Sequence, residues 1–359
     1  MHLRRLWLTD FRGHAEADVQ FDPGPTAVVG PNGQGKTNLL EAIAYLATLT
    51  SFRGAPNEAL VRVGAERAVV RAEAEREGRR LLLEAEIVAG GRNRAQLNRQ
   101  PLRRARDLLG ALRVTVFSPD DLSLLKGGPG ERRTYLDDTL VALHPRHDQQ
   151  RTDLDRILRQ RGALLKQAGG RLTAEVELTL DVFDAKLTAA GEALAAARHE
   201  LVAELGPVLE EAYAAVARQA VPVRASYDPP WRAGGLAAAL AAARRDDLRR
   251  GVSTVGPHRD ELDLALGGLP ARTHASQGEQ RTLALALRLA AHEVLARRTG
   301  TPPVLLLDDV FSELDPNRST ALLRSLPPGQ TVLSTAGALP EGAVPGRLLR
   351  VAAGTVRTA

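Results

Sequence analysis

The sequence contains no cysteine, and this absence excludes disulfide bridges and thiolate metal sites. No apolar run approaches the roughly 20 residues that a membrane-spanning helix needs, because arginines interrupt every candidate. The N-terminal stretch "MHLRRLWLTDFRGH" lacks the apolar segment of a secretory signal. We therefore expect a cytoplasmic protein with no membrane association.

Lysine is almost as scarce as cysteine. Of the 48 basic residues only four are lysines, namely Lys36, Lys126, Lys166 and Lys186, and the other 44 are arginines. A bias of the genome toward GC-rich codons explains such a ratio, but a lysine in this chain also suggests a position where arginine would not serve. With 359 residues, 44% of them hydrophobic, the chain has room for two domains or for one domain with a large insertion.

The stretch "GPNGQGKT", Gly30–Thr37, matches the phosphate-loop pattern G-x-x-x-x-G-K-[ST]. A β-branched run precedes it and a segment of helical period follows it, which is the strand–loop–helix context that this loop requires. Successive backbone N–H groups of such a loop, together with the start of the helix, bind phosphates. Lys36 is expected to contact the β- and γ-phosphates, and Thr37 is expected to bind Mg²⁺. The pattern predicts a nucleotide site.

A pair of acids follows a second apolar run. Val304–Leu307 is continuous and apolar, as in a buried parallel strand, and it is followed by Asp308 and Asp309. We expect Asp308 to hold Mg²⁺ and Asp309 to orient or deprotonate the attacking water.

The stretch "SQGEQ" predicts a helix start, because Ser276 and Glu279 form the S-x-x-E capping box before the apolar helix Glu279–Arg298. "SELD", Ser312–Asp315, follows the acid pair. This order of motifs resembles the ATPase heads of the ABC class. The resemblance implies a dimer with ATP between two heads, in which Ser312 and Asp315 belong to a loop that bridges them. The signature residues that it implies for the nucleotide of the second subunit are Ser276, Gln277, Gly278, Glu279 and Gln280.

Longer stretches, from "LWLTDFRGH" to "LLLDDVFSELDPNR" and including "PDDLSLLKGGPGERRTYLD" and "GPHRDEL", resemble the RecF family of SMC-like DNA-repair ATPases. The resemblance implies an α/β fold, an ABC-type ATPase head (P-loop NTPase) with an inserted α-helical arm. It implies ATP and Mg²⁺ as cofactors, Lys36 and Asp309 as catalytic residues, and Thr37 and Asp308 as metal-binding residues. The residues that it places around ATP are Gly30, Pro31, Asn32, Gly33, Gln34, Gly35, Lys36, Thr37 and Asn38.

The resemblance further implies a protein of DNA replication, DNA damage repair and the SOS response. Such a protein dimerises with ATP on double-stranded and gapped DNA and helps load RecA together with RecR and RecO. Two departures from the wider ABC pattern argue for slow, switch-like ATP hydrolysis: Asp309 stands where many relatives have glutamate, and Ser334-Thr335 stands where most have a histidine. An SMC-like structural DNA-organising ATPase is one alternative. A transporter subunit is another, but "VTVF" is followed by Ser118-Pro119 without the glutamine that it would need.

We predict three parts: residues 1–118 as the N-terminal part of the head, 119–232 as the helical arm, and 233–359 as the C-terminal part of the head. Within the arm, an apolar seam with steps of three and four predicts a short antiparallel coiled coil with the segment around Leu154, Ile157 and Leu164, turned at residues 167–171. A helical lid without a partner of its own is the alternative. We expect "YDPPWR", Tyr227–Arg232, to break the long helix. The seam residues are Leu180, Phe183, Leu187, Ala190, Leu194, Ala197, Leu201 and Leu205.

The stretch Arg92–Arg106 carries arginines and no acid, and it predicts a charged hairpin that contacts DNA phosphates. A solvated basic face is the alternative, and the lack of aromatic residues there favours duplex over single-stranded DNA. In "GPHRD" no second ligand lies at a suitable spacing from His258, which argues against a metal site, and we expect Arg259 to pair with Asp260. The candidate DNA-binding residues are Arg92, Arg94, Arg99, Arg103, Arg104 and Arg106.

Overall fold

A computed structural model describes residues 1–340 and 342–358, with the side chain of Glu313 outside the description. The strands are β1 (His2–Phe11), β2 (His14–Gln20), β3 (Pro25–Val29), β4 (Arg67–Arg76), β5 (Arg79–Val88), β6 (Arg94–Leu97), β7 (Gln100–Pro101), β8 (Val114–Phe117), β9 (Val223–Ser226), β10 (Asp263–Leu266), β11 (Leu269–Pro270), β12 (Val304–Asp308), β13 (Thr331–Thr335), β14 (Arg347–Ala352) and β15 (Thr355–Thr358). The α-helices are α1 (Lys36–Thr48), α2 (Asn57–Leu60), α3 (Ser123–Lys126), α4 (Pro129–Leu143), α5 (Arg146–Ala168), α6 (Ala174–Ala217), α7 (Leu236–Arg250), α8 (Ala271–His274), α9 (Gln277–Thr299) and α10 (Pro316–Ser325). Short 3-10 helices cover Ala105–Leu108, Pro119–Leu122 and Val310–Glu313. No helix within these ranges has the length and apolar character needed to cross a membrane.

The phosphate loop belongs to a mixed sheet with the strand order β15-β14-β3-β13-β12-β8. The five strands from β14 to β8 run parallel, and β15 pairs with β14 in the antiparallel sense. Strand β12 is buried along its whole length, which confirms the predicted buried strand before the acid pair. Strand β3, the glycine loop and helix α1 follow one another as predicted.

Helix α1 lies between this sheet and an antiparallel sheet of order β2-β1-β4-β5-β6-β7. Leu306 of β12 belongs to the same core as Leu39 and Ile43 of α1, whereas its neighbours Leu305 and Leu307 belong to the core on the opposite side, with the long helices. Side chains alternate along a strand, so the mixed sheet separates two cores. Full burial of one such leucine or isoleucine stabilises the fold by about 1.5–3 kcal/mol. The α/β ABC-type head with an inserted helical region is thus present.

The predicted helical hairpin is confirmed. Helix α5 ends at Ala168, Gly169 adopts a left-handed conformation, and α6 begins at Ala174 and packs against α5. The leucines of the seam are buried, with at most 2% exposure: Leu180, Leu187, Leu194, Leu201 and Leu205.

Helix α5, the expected partner of the apolar seam, covers only part of α6. Helix α6 has 44 residues and is about 66 Å long at about 1.5 Å per residue, whereas α5 has only 23 residues. Helix α5 can therefore cover only about half of α6, and α6 also packs against α9 and α10. Leu201 and Leu205 share one core with Leu283 and Leu287 of α9, so this part of the helical region is anchored in the head.

The predicted end of the long helix is wrong. Helix α6 ends at Ala217, where Arg218 has a φ of 54°, and the chain enters strand β9 before it reaches Tyr227. Strand β9 pairs with β10 in a small antiparallel sheet of order β11-β10-β9. The valines at 221 and 223, together with Pro222, favour an extended chain here over a helix.

The expected pairing of Arg259 with Asp260 is also wrong. Asp260 is buried and accepts hydrogen bonds from Tyr227 Oη (2.5 Å) and Trp231 Nε1 (2.8 Å). Arg259 stays exposed and donates to the carbonyl oxygen of Ser253 at 3.2 and 3.1 Å. Burial raises the pKa of Asp260, although both hydrogen bonds oppose that shift. Successive side chains here point in opposite directions, one into the core and one to solvent.

Candidate functional site

Two positions of the phosphate loop pack so closely against neighbouring strands that only glycine, which has no Cβ, fits there. A Cβ on Gly30 would lie 2.3 Å from the carbonyl oxygen of Val351 in β14. At Gly35, φ is 109° and a Cβ would lie 2.9 Å from His14 Nε2. The buried His14 ring lies between carbonyl oxygens, with Nδ1 2.6 Å from that of Gly354 and Nε2 3.1 Å from that of Gly35. The loop is therefore held between β2 and the β14–β15 turn, a support that sequence reasoning missed.

The rest of the loop faces outward. Pro31, Asn32 and Gly33 are exposed, while Gln34 accepts a hydrogen bond from the backbone N–H of Ala353 at 2.6 Å. Asn38, one turn into α1, is half-buried. This exposed part of the loop leaves the backbone N–H groups of Asn32 and Gly33 accessible to an anion.

Lys36 is buried at the start of α1, and its ammonium donates a hydrogen bond to the carbonyl oxygen of Pro31 at 2.8 Å. Burial lowers the pKa of Lys36, and the negative charges of Asp309 and Asp308 oppose the shift. The structure thus brings the phosphate-loop lysine and the acid pair together, as their assigned roles require.

Asp308 is the centre of a small hydrogen-bond cluster. Its Oδ1 accepts bonds from Thr37 Oγ1 at 2.9 Å and from Ser334 Oγ at 2.6 Å. Burial raises the pKa of Asp308, and these two hydrogen bonds lower it in part. Ser334, which the sequence marked only as the replacement of a histidine, therefore orients the carboxylate that is expected to bind the metal.

Asp309 has an unusual backbone and an unsatisfied side chain. Its φ is 48°, and its backbone N–H contacts both the carbonyl oxygen (3.2 Å) and the hydroxyl (3.1 Å) of Ser334. Its Oδ1 is buried and has no hydrogen-bond partner among the described residues. Such an oxygen normally finds a partner, so it is available to a water or nucleotide group.

These residues fit Mg²⁺. The ion usually keeps several waters and is bound by one or two carboxylates together with substrate phosphates, not by a complete protein cage. The residues described contain no group of three His, Asp or Glu side chains arranged for a metal ion, which is compatible with that mode of binding. Thr37 and Asp308 would supply a hydroxyl and a carboxylate, and the bound ion would neutralise phosphate charge.

The capping box at the start of α9 is confirmed. The backbone N–H of Ser276 donates to Glu279 Oε2 at 2.7 Å, and the backbone N–H of Glu279 donates to Ser276 Oγ at 3.3 Å. Hydrogen bonds to its carboxylate from the side chain and from the backbone N–H of Ser276 lower the pKa of Glu279. Ser276 and Gln277 are exposed at the helix end, where a phosphate of another molecule can approach.

Two features of this helix start were not evident from the sequence. Gln280 is buried and its amide donates to the carbonyl oxygens of Ala271 (3.2 Å) and Arg272 (3.1 Å), so its side chain supports the turn from inside. A Cβ on Gly278 would lie 2.5 Å from a guanidinium nitrogen of Arg318 in α10. Gly278 therefore leaves space for the side chain of Arg318, which follows the "SELD" loop in the sequence.

The loop "SELD" connects the acid pair to that arginine. Ser312 is exposed and donates to the carbonyl oxygen of Asp309 at 2.8 Å. Asp315 caps α10 through the backbone N–H of Arg318 at 3.0 Å and lies 3.5 Å from its guanidinium. The acid pair and the start of α9 are thereby linked through one short segment.

The arginine stretch forms the predicted hairpin, in which β6 pairs with β7. All six candidate arginines are exposed, but acids outside the stretch reach some of them. Arg104 pairs with Asp107 at 2.8 Å, and Arg106 lies 3.1 Å from Asp148 of α5. Arg94 lies 3.9 Å from Glu86, and Arg92 contacts the carbonyl oxygen of Arg103 at 3.4 Å. Arg99 has no ion pair in the described part of the chain. The stretch is therefore less strongly basic than its sequence suggests.

Comparison with known proteins gives one consistent result. The family described as RecF/RecN/SMC N terminal domain matches residues 2–331. The DNA replication and repair protein RecF of Streptomyces avermitilis is 47% identical over 374 aligned residues, which cover 99% of this chain and 99% of that protein. The solved structure of the recombination mediator protein RecF-ATP in the RecFOR pathway is similar with a TM-score of 0.90 and 28% identity, covering 100% of this chain and 97% of that one. The RecF-ATPrS structure is similar with a TM-score of 0.91 and 28% identity, covering 99% and 98%.

Proposed function

Because this chain belongs to the RecF family, we propose that it is an ATP-dependent DNA-binding protein of recombinational repair. ATP and Mg²⁺ bind at the phosphate loop, and Lys36 and Asp309 act on the nucleotide. The observation that carries this proposal is the cluster in which Thr37, Asp308 and Ser334 meet beside Lys36.

ATP drives dimerisation of two heads, and the start of α9 of one subunit binds the γ-phosphate held by the other. Two observations support this arrangement: Ser276 is exposed, and the capping box orders the first turn of α9. The N-terminal end of a long helix attracts an anion. Ser312 and Asp315 lie in the bridging loop.

Slow hydrolysis resets the dimer. Two features support slow hydrolysis. Asp309 has a shorter side chain than glutamate, and Ser334, which bonds to Asp308, stands where most ABC ATPases have the histidine that senses the γ-phosphate. The dimer holds double-stranded or gapped DNA in the cytoplasm, with the arginine hairpin as its first contact, and works with RecR and RecO to load RecA. Residues 1–118 and 233–359 form the head, and 119–232 form the arm.

Sedimentation velocity tests the proposal, with ATP, ADP or no nucleotide, and with or without gapped duplex DNA. We expect a dimer only with ATP. Lys36→Met should lose nucleotide binding, whereas Ser276→Arg should keep nucleotide and remain monomeric, because the added side chain blocks the start of α9. A dimer of Ser276→Arg, or dimerisation indifferent to nucleotide, would contradict the trans arrangement.

A further inference from the structure

A hollow of about 390 Å³ lies between helix α5 and the loop of residues 251–259. Arg159 and Lys166 of α5 line one side, and His258 and Arg259 of the loop line the other. No carboxylate lines it, although the chain contains 43 acidic residues. The hollow is therefore bordered by the cations Arg159, Lys166 and Arg259 and by no carboxylate.

The cations of this hollow are not neutralised by the protein. The side chains of Arg159 and Lys166 are exposed and make no hydrogen bond or ion pair within residues 1–340 and 342–358. Arg259 is held by the carbonyl oxygen of Ser253, which fixes its guanidinium without cancelling its charge. Many other exposed arginines have carboxylate partners, for example Arg5 with Asp18.

Backbone geometry shapes the hollow around the rare lysine. Gly251 has a φ of 66°, and a Cβ there would lie 3.3 Å from Lys166 Cγ. The glycine therefore lets the loop approach the stem of Lys166. The compact ammonium at the end of that stem acts as a point charge for an anion.

The hollow is connected to the arginine hairpin by one ridge of α5. Thr152, Arg159 and Lys166 are seven residues apart, so they align along the helix axis and span about 21 Å from first to last. At the N-terminal end of the ridge, Arg106 of the hairpin donates to Thr152 Oγ1 at 2.5 Å. Arg104 approaches Gln149 in the same region, at 3.5 Å. Arginines of the hairpin therefore lie at one end of the ridge, and Arg159 and Lys166 lie toward the other.

We propose that the hollow binds a backbone phosphate of duplex DNA, and that the duplex follows the α5 ridge from the arginine hairpin to the hollow. The ridge of about 21 Å corresponds to about six base pairs at 3.4 Å per base pair. Cations at both ends of the ridge fit a polyanion, whereas the hollow alone would also fit a single phosphate. This assignment rests on the proposed function and names the surface that DNA occupies.

The test compares wild type with Arg159→Glu/Lys166→Glu. The side chains of these residues make no hydrogen bond or ion pair within the described part of the chain, so folding should be retained. The matched control is Arg79→Glu/Arg324→Glu, which makes the same charge change at exposed arginines of β5 and α10. Affinity for a fluorescent duplex is measured by anisotropy between about 50 and 200 mM salt, the range over which phosphate contacts change affinity strongly.

We expect the α5 variant to bind duplex DNA at least about tenfold more weakly, and to lose about two from the slope of log affinity against log salt, since each phosphate contact contributes about 0.9. The control should behave as wild type, and ATP binding and thermal melting should be unchanged in both variants. If wild type binds DNA and the α5 variant binds it equally well, the inference is wrong while the proposed function stands. If wild type fails to bind duplex at every salt concentration, the proposed function itself is overturned.

Titration calorimetry with inorganic phosphate separates the two sources of the anion. Micromolar phosphate binding that the α5 variant loses, with duplex affinity unchanged, would assign the hollow to a free anion and overturn the DNA assignment. Loss of duplex affinity without measurable phosphate binding by wild type supports the ridge.

Discussion

The buried histidine of helix α9 predicts a pH dependence of stability. His292 is 1% exposed, and neither ring nitrogen has a hydrogen-bond partner among the described residues. Burial lowers the pKa of His292 from 6.5 to about 4, and the charge of Glu293 opposes the shift only weakly. The folded state therefore prefers the neutral ring. Stability is unaffected by this group above pH 6.5, and it falls as the pH drops from 6.5 toward 4, because only the unfolded chain takes up the proton.

The size of the effect follows from the shift. Each pKa unit corresponds to about 1.4 kcal/mol, so the lowered pKa accounts for about 3 kcal/mol over the full range and about 2 kcal/mol between pH 7 and pH 5. The substitution His292→Leu keeps a similar volume and removes the titrating group. Wild type should therefore lose about 2 kcal/mol more than the variant between these pH values. At pH 7 the variant should be the more stable by about 1–3 kcal/mol, because unsatisfied buried nitrogens are removed.

Urea unfolding followed by circular dichroism at pH 7 and pH 5 measures this difference. His274→Gln is a suitable control, because it removes an exposed histidine instead of a buried one. An equal pH dependence of wild type and His292→Leu would refute the reasoning. A variant less stable than wild type at pH 7 would show that the ring nitrogens are satisfied after all.

Two further predictions concern the nucleotide site and the helical region. Ser334→Ala should weaken Mg²⁺·ATP binding by at least about tenfold in calorimetry at pH 7. The lost hydrogen bond to the charged Asp308 contributes about 1.5–3 kcal/mol, and its loss also raises the pKa of Asp308 further. Unchanged affinity would count against a role of Asp308 in binding the metal. Arg161→Met should lower the free energy of unfolding by about 3–5 kcal/mol, because the buried carboxylate of Asp247, 2.7 Å from the guanidinium, loses its cation and Asp184 keeps only Arg244 among the described residues. Thermal melting at pH 7 measures this loss, and an unchanged melting temperature would contradict it.

The parts of the site that were predictable from the sequence are those in which neighbouring residues determine the geometry. The spacing of Gly30, Gly35 and Lys36 specifies a phosphate loop by itself. The capping box of Ser276 and Glu279 closes within one helical turn. These interactions span a few residues, so their pattern survives in the linear sequence.

The contacts that could not be predicted join distant segments. Ser334 bonds to Asp308 only because β13 lies beside β12, and His14 reaches Gly35 from another strand. A single serine or histidine carries no periodic signal. The same reason explains why α9 was not foreseen as a partner of α6, since an apolar seam shows that a face is buried but not what covers it.

To bind a ligand, Lys36 and Thr37 must give up existing hydrogen bonds, whereas Asp309 Oδ1 has none to give up within the described residues. Lys36 donates to Pro31, and Thr37 donates to Asp308, so phosphate and Mg²⁺ must replace existing hydrogen bonds and gain only the difference in strength. The exchange at Lys36 is favourable, because the ammonium then contacts a negatively charged phosphate instead of a neutral carbonyl oxygen. Asp309 Oδ1 has no partner to give up within the described residues, so a water that donates to it gains a full bond. We therefore expect the affinity for nucleotide to depend on Lys36, Thr37 and Asp308, and the placement of water to depend on Asp309.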